Sequence, residues 1–242
     1  VTTQVGCNIG CTFCASGLLK KSRDLTSGEI VEQIVSIQKY LDQQGKGEAV
    51  SHIVVMGIGE PFDNYENVVR FLKTANDPKV FNIGTRRMTV STCGLVPEIE
   101  KFAHERMQVT LAVSLHAPND TIRRQLMPIA KRYDMASLLR ACQTYVDKTN
   151  RRITFEYNLI AGVNDQDEHA RELVKLLGDL LCHVNLIPLN EIPESTFKRP
   201  SPERVKSFRN ILESEGLTVT VRRELGADIE AACGQLRRRY EE

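Results

Sequence analysis

The sequence predicts an α/β fold on a mostly parallel sheet. Three observations carry this. Short apolar runs of strand length alternate with runs of helical period along the chain. The helical runs are long enough to be right-handed crossovers between parallel strands. Polar and special residues cluster just after the strands, at Gly57–Pro61, Ser91–Gly94, Ser114–Asn119 and Asn190. Parallel barrels and open sheets carry their sites at those carboxyl ends.

Each element has its own signal. A first strand leads into a cysteine-rich stretch. Glu29–Asp42 then puts Ile30, Val31, Ile34, Ile37 and Leu41 on one helical face, and Thr26 with Glu29 forms a capping box at its start. "SHIVVMG" (51–57) is an apolar run ending in glycine, as a buried strand does, and a helix follows near 65–76. "RMTVST" (87–92) reads as a strand and Pro97–Glu105 as a helix. "VTLAVSL" (109–115) is a strand, with helical patterns at 120–126 and 135–148. "ITFEYNLI" (153–160) and "CHVNLIPL" (182–189) are strands, followed by helices over 166–180 and 202–215. "LTVTVR" (217–222) is the last strand. No linker, repeat or low-complexity tract interrupts the alternation, so residues 1–242 are expected to form one domain.

Bulk composition narrows the function classes. Hydrophobic residues make up 41% and charged residues 26% of the 242, which suits a packed core and excludes global disorder. The net charge of +1 leaves any nucleic-acid surface to a local patch. No apolar run is long enough to span a bilayer and no signal peptide is visible, so no membrane partner is expected. Seven cysteines, an odd number and mostly scattered, argue for a reducing, cytoplasmic setting over a disulfide framework. The chain opens on Val1 in mid-pattern and reads as a piece of a longer protein.

"GCNIGCTFCASG" (6–17) places Cys7, Cys11 and Cys14 within eight residues. Thiolates hold iron–sulfur clusters, commonly four per cluster. Three would leave one iron of a 4Fe-4S cluster open, as a catalytic metal keeps a position for substrate. Phe13 would shield such a cluster from water. The alternative is structural zinc closed by a remote ligand such as a histidine, because ligand type alone does not name the metal. A metal-free loop is disfavoured, since clustered exposed thiolates oxidise.

CxxxCxxC after a first strand resembles the radical S-adenosylmethionine (SAM) superfamily. "GIGEP" (57–61), "STCG" (91–94), "SLHAPND" (114–120), "LIPLN" (186–190) and "DIEAACGQL" (228–236), in that order, resemble the RNA adenine C2-methyltransferases that modify 23S rRNA and tRNA. The likeness runs through nearly the whole chain. It implies a partial (β/α)6 barrel, with a 4Fe-4S cluster on Cys7, Cys11 and Cys14 and SAM chelating the open iron. It also implies an external reductant such as flavodoxin. A monomer is expected.

The resemblance gives further residues a role, and each has a plainer reading beside it. Gly59 and Glu60 match a SAM-contacting pair; a strand-ending turn fixed by Pro61 explains them equally. Ser91 matches a SAM contact, or bonds local backbone. Ser114, Leu115 and His116 match another SAM-binding stretch, while a lone histidine after a strand is commonly structural. Asn190 matches a contact, or is a turn residue. Cys233 matches the nucleophile that takes a methyl from one SAM. A 5′-deoxyadenosyl radical from a second SAM then abstracts hydrogen from the S-methyl group, and the carbon radical adds to adenine C2. Its plainer reading is a small buried hydrophobe beside Gly234. The pattern's resolving cysteine would lie immediately before Val1, and its upstream carboxylate and N-terminal accessory domain before that.

"GEP" in the second motif resembles the C2 branch more than the C8-methylating relatives. Cys93, Cys142 and Cys182 are read as core. Paired basic residues, among them Arg123/Arg124 and Arg151/Arg152, are read as solvated faces balanced by acids, some of which would meet phosphate if the substrate is RNA. Two rivals remain. A radical SAM enzyme on a small molecule leaves Cys233 idle, and a zinc-stabilised RNA-binding module has no catalysis.

Overall fold

The computed structural model describes residues 1–242 except 19, 46, 192–194 and 223–242. Its main sheet has six parallel strands in chain order: β3 (Ile53–Val55), β4 (Met88–Thr92), β5 (Thr110–Ser114), β6 (Ile153–Leu159), β7 (Cys182–Pro188) and β8 (Val219–Val221). Successive βαβ units laid side by side give that order without a reversal. A short antiparallel ribbon, β1 (Gln4–Val5) with β2 (Arg23–Asp24), precedes it. The first residues run beside β3: Val54 O accepts from Val1 N at 2.8 Å, and Gly57 N donates to Val1 O at 3.0 Å. Thr3 N then donates to Ile58 O. The chain therefore leaves β1 at the carboxyl end of the sheet, with the cysteine stretch immediately after it.

The helices are α1 (Ser27–Gln43), α2 (Tyr65–Asn76), α3 (Val96–His104), α4 (Asp120–Leu126), α5 (Met135–Thr149), α6 (Asp167–Leu177) and α7 (Pro202–Ser214). Their starts follow local chemistry. The capping box at α1 forms, with Thr26 N donating to Glu29 Oε2 at 2.8 Å and Glu29 N to Thr26 Oγ1 at 3.3 Å. Asn119, Asp134 and Ser201 cap α4, α5 and α7 through side-chain oxygens. The helix predicted over 166–180 stops at Leu177, because Gly178 takes the C-cap. Among the described residues, no helix is long and apolar enough to cross a membrane.

The core lies between the sheet and these helices. Met88, Val90, Leu111, Val113, Phe155 and Val184 meet Leu72, Ile99, Phe102 and Leu173, all of them buried. Phe102 stacks on Tyr145 with centroids 5.9 Å apart. Each such side chain contributes about 1.5–3 kcal/mol by leaving water. Cys93, Cys142 and Cys182 are buried too, as the core reading expects.

The register makes the other face of the sheet polar. Residues in register on parallel strands share a face. Ser91 pairs with Ala112, Ala112 with Thr154, and Thr154 with His183. One step nearer the carboxyl ends, Ser114, Glu156, Asn185 and Thr220 form a single row.

Candidate functional site

The cysteine loop sits over this polar face at the carboxyl ends of the strands. Gly6 opens it with a φ of +81°, and a Cβ there would lie 2.1 Å from Lys20 O. Only glycine fits that approach. Cys14 N donates to Cys11 O at 3.2 Å and Gly17 N to Cys14 O at 3.0 Å, so the loop is wound by its own backbone. Thr12 N donates to Leu126 O at 3.0 Å, which fastens the loop to the end of α4. Phe13 meets His116 edge-on, with ring centroids 4.8 Å apart.

Cys7, Cys11 and Cys14 are free thiols of intermediate exposure. Burial pushes the Cys7 thiol up despite a hydrogen bond from Ile9, and Cys14, Glu60 and Asp63 add to the rise. Cys11 is raised by burial and then by Cys14, Cys7 and Glu60, with Arg123 opposing. Three thiolates this close repel one another, and a bound cation relieves that. Among the described residues, no three His, Cys, Asp or Glu side chains are arranged to hold a metal ion. A 4Fe-4S cluster takes one thiolate per iron and spreads its ligands farther apart than one zinc does. The soft, partly exposed donors of a single loop fit a cluster. Cys93 lies buried just past β4, where burial and the neighbouring Glu60 hold its thiol well above the usual range.

Gly59 and Glu60 lie beside this loop. Gly59 has a φ of +102°, and a Cβ would stand 2.5 Å from that of Gln4. The close approach lets Gln4 Oε1 accept from Glu60 N at 2.8 Å. Gln4 Nε2 donates to Asp24 and Asp63, and Lys21 bridges the same two carboxylates at 2.8 Å each. Glu60 is 4% exposed. Its Oε1 accepts from Phe62 N at 3.0 Å and its Oε2 from Cys93 N at 2.7 Å, so the carboxylate staples the loops after β3 and β4. Burial pushes its carboxyl up, opposed by the Cys93 amide, the Thr92 hydroxyl and the Phe62 amide. The turn role is therefore real.

Ser91 lies in β4, one residue before its end, half-buried on the polar face, and Ser114 ends β5 on the same face. Leu115 is buried. Its amide and that of His116 both donate to Glu156 O, at 3.0 and 3.2 Å. His116 turns the chain with a φ of +57°. Its Nδ1 accepts from Asn158 N at 2.9 Å, and its carbonyl accepts from Asn164 Nδ2. Burial, helped by Arg123, lowers its pKa to about 3, so the ring is neutral and its proton sits on Nε2. Asn190 is exposed just past β7. Cys233 lies outside the described residues.

The polar row contains residues that the sequence pattern of short strands concealed. Asn185 Nδ2 donates to Glu156 Oε2 at 2.8 Å, and Thr220 Oγ1 donates to Asn185 Oδ1 at 3.0 Å. Glu156 is raised by burial, opposed by Asn185 and Arg222. The strict alternation of Thr154, Glu156 and Asn158 along β6 was the available signal. Arg123 is the other omission. Its neighbour Arg124 is half exposed, but Arg123 itself is wholly buried and belongs to no solvated face. On α4 it shares the inward side with Leu126, a spacing that a run of two arginines hides.

Residues 1–174 match the model of the radical SAM superfamily. The chain is 56% identical over 240 residues to a probable dual-specificity RNA methyltransferase RlmN of Thermoanaerobacter sp., covering 99% of this chain and 68% of that protein. The chain belongs to the RlmN family of radical SAM proteins. It spans about two thirds of the length of such relatives. A radical SAM methyltransferase of Sphaerobacter thermophilus superposes on 97% of this chain and 68% of its own, with a TM-score of 0.93 and 51% identity. Streptococcus suis SuiB, solved bound to S-adenosylmethionine, shares the fold at 12% identity and a TM-score of 0.63, over 92% of this chain and 49% of its own. Membership of the radical SAM superfamily brings a 4Fe-4S cluster and SAM as cofactors. The mostly parallel α/β sheet expected from the motifs is present, and the Sphaerobacter thermophilus methyltransferase shares this radical SAM fold.

Proposed function

We propose that the protein methylates the C2 carbon of adenosine in 23S rRNA and tRNA, with Cys233 carrying the methyl group as S-methylcysteine. One observation supports it above others: three free thiols on one loop lie at the carboxyl ends of a parallel sheet with a polar face, in a chain more than half identical to RNA methyltransferases. When bound, the 4Fe-4S cluster supplies an electron to SAM, which supplies both the methyl group and the radical initiator. Everything else falls to the chain's own side chains.

Cys7, Cys11 and Cys14 hold the cluster and leave one position open. Glu60, with Gly59 beside it, meets the ammonium of SAM with its carboxylate. Ser91, Ser114, Leu115 and His116 line the sheet face against the nucleoside part, and Asn190 closes the rim. His116 is neutral, so it adds no charge to a site that must hold a sulfonium. Phe13 packs against the ring and keeps water from the cluster side. Cys233 meets the target base. Adenine C2 is electron-poor, so polar transfer of a methyl cation to it is unfavourable, and a carbon carried on a thiol meets the need. RNA recognition rests on shape and on extrusion of the base. A flavodoxin-type reductant, a monomeric state and a cytoplasmic location belong to the same reading.

Digestion of treated RNA followed by mass spectrometry tests it. The protein, extended to its relatives' length and supplied with SAM, reductant and RNA without oxygen, should form 2-methyladenosine. Cys233→Ala should form none. Undiminished product from that variant would return Cys233 to a packing role, and 8-methyladenosine would move the chain to the C8 branch.

A further inference from the structure

We propose that Lys21 is a positioning residue for SAM: its ammonium clasps the base of the cysteine loop to the turn that carries Glu60, and so sets where the bound cluster stands relative to that carboxylate. The inference rests on the reading that Cys7, Cys11 and Cys14 hold the cluster and that Glu60 meets the SAM ammonium.

The cysteine loop leaves on β1 and returns on β2, so Gln4 and Lys21 stand at its two ends. Those ends are pressed together. Gly6 lies against the backbone of Lys20 and Lys21, where a Cβ would come within 2.9 Å of Lys21 Cα. Lys21 N donates to Asn8 Oδ1, on the residue after Cys7, at 3.2 Å, and Ser22 N donates to Val5 O at 2.7 Å.

The turn after β3 meets the same two side chains. Glu60 caps the single turn Pro61–Asn64, and its N donates to Gln4 Oε1 at 2.8 Å. Gln4 Nε2 donates to Asp24 Oδ1 at 2.8 Å and to Asp63 Oδ2 at 3.0 Å. Lys21 Nζ reaches those same two oxygens at 2.8 Å each. The Lys21 side chain is 16% exposed, so these pairs escape much of the screening that makes an open surface pair worth little. Asn64 Nδ2 fastens the far end of the turn without charge, donating to Thr3 O at 2.9 Å and Leu25 O at 2.7 Å.

Charge decides what Lys21 adds to these ties. Asp24 and Asp63 share one amide nitrogen, and two carboxylates so placed repel. An ammonium between them turns the repulsion into attraction. Without it Asp63 is pushed from the ribbon, and Glu60, which caps the same turn, shifts with it. SAM must meet the open iron and Glu60 through one amino-acid end, so its binding feels any shift between loop and turn.

The test compares wild type with Lys21→Met, Lys21→Arg, Asp63→Asn and the Lys21→Met/Asp63→Asn double variant, in the protein extended to its relatives' length. Iron and sulfide are counted after anaerobic reconstitution, and the SAM dissociation constant is measured on the loaded protein. Hydrogen exchange of the 57–64 segment is followed without cluster or SAM. Lys21→Met should keep its iron and bind SAM about fivefold more weakly. Its segment should exchange about fivefold faster. Lys21→Arg keeps the charge and should stay near wild type. The double variant should bind SAM no more weakly than Lys21→Met, because the repulsion leaves with the Asp63 charge. If Lys21→Met does not fold, Asp63→Asn must weaken SAM binding at unchanged iron. Wild-type SAM affinity in Lys21→Met overturns the inference, and so does weaker affinity with unchanged exchange. An Arg variant as weak as Met, additive losses in the double variant, or loss of iron in Lys21→Met also overturns it, since the residue is then a structural support alone. An iron-free wild type, or unchanged SAM affinity in Glu60→Gln, removes the reading beneath it. If Glu60→Gln weakens SAM binding and Lys21→Met does not, the clasp alone is wrong.

Discussion

His116 refuses a proton that the unfolded chain accepts. A free imidazole titrates near 6.5, while the buried ring holds out to about 3. The lowered native value means that stability is full above about pH 6.5 and falls as pH drops toward 3. By pH 5 the loss from this group reaches about 2 kcal/mol. His116→Asn should remove that loss, since Asn tolerates a positive φ and its Oδ1 can stand where Nδ1 accepts from Asn158. Urea midpoints of both proteins at pH 7 and pH 5 check it, and equal slopes would contradict it. Glu60 makes a second residue-scale case. Glu60→Gln puts an amide NH2 against one of two backbone N–H donors, at a cost of about 1–3 kcal/mol. SAM affinity should fall with it; an unchanged dissociation constant leaves Glu60 as a staple alone. Gly59→Ala should cost about 1–3 kcal/mol through its φ and its clash with Gln4, read as a lowered urea midpoint.

The elements were the most legible part of the sequence. Predicted helices at 65–76 and 120–126 coincide with α2 and α4, and 135–148 with all but the last residue of α5. Amphipathic period and caps are local, so a linear reading captures them. Thr26→Ala should accordingly cost about 1 kcal/mol in thermal or urea unfolding, because both halves of its capping box form. What the linear reading lacked was partnership between elements. The Ser114, Glu156, Asn185 and Thr220 row exists only once four strands are in register. Arg123 looked like Arg124 because the face of α4 that turns inward is set by its packing on β5 and the cysteine loop. The Gln4 contact that makes Gly59 obligatory joins residues 55 apart in sequence, beyond any local pattern.

The whole molecule places its cysteine loop where the sheet offers polar atoms. Order of strands, register and the run of residues 1–3 beside β3 bring Cys7, Cys11 and Cys14 to the carboxyl ends, near Glu60. The three-thiol site was visible in the sequence by spacing, and the metal it takes was left open there between iron–sulfur and zinc. Radical SAM membership brings the cluster, and the proposed ligation by three cysteines gives it one iron with a free coordination position. Replacing any of the three cysteines by Ala should abolish both the cluster and reductive cleavage of SAM. The most direct measurement is iron, sulfide and zinc per chain after anaerobic reconstitution, with the electron paramagnetic resonance spectrum of the reduced protein recorded before and after SAM. The account predicts about four irons and four sulfides, and a spectrum that SAM perturbs. A zinc-replete, iron-free protein, or a cluster whose spectrum ignores SAM, would contradict it.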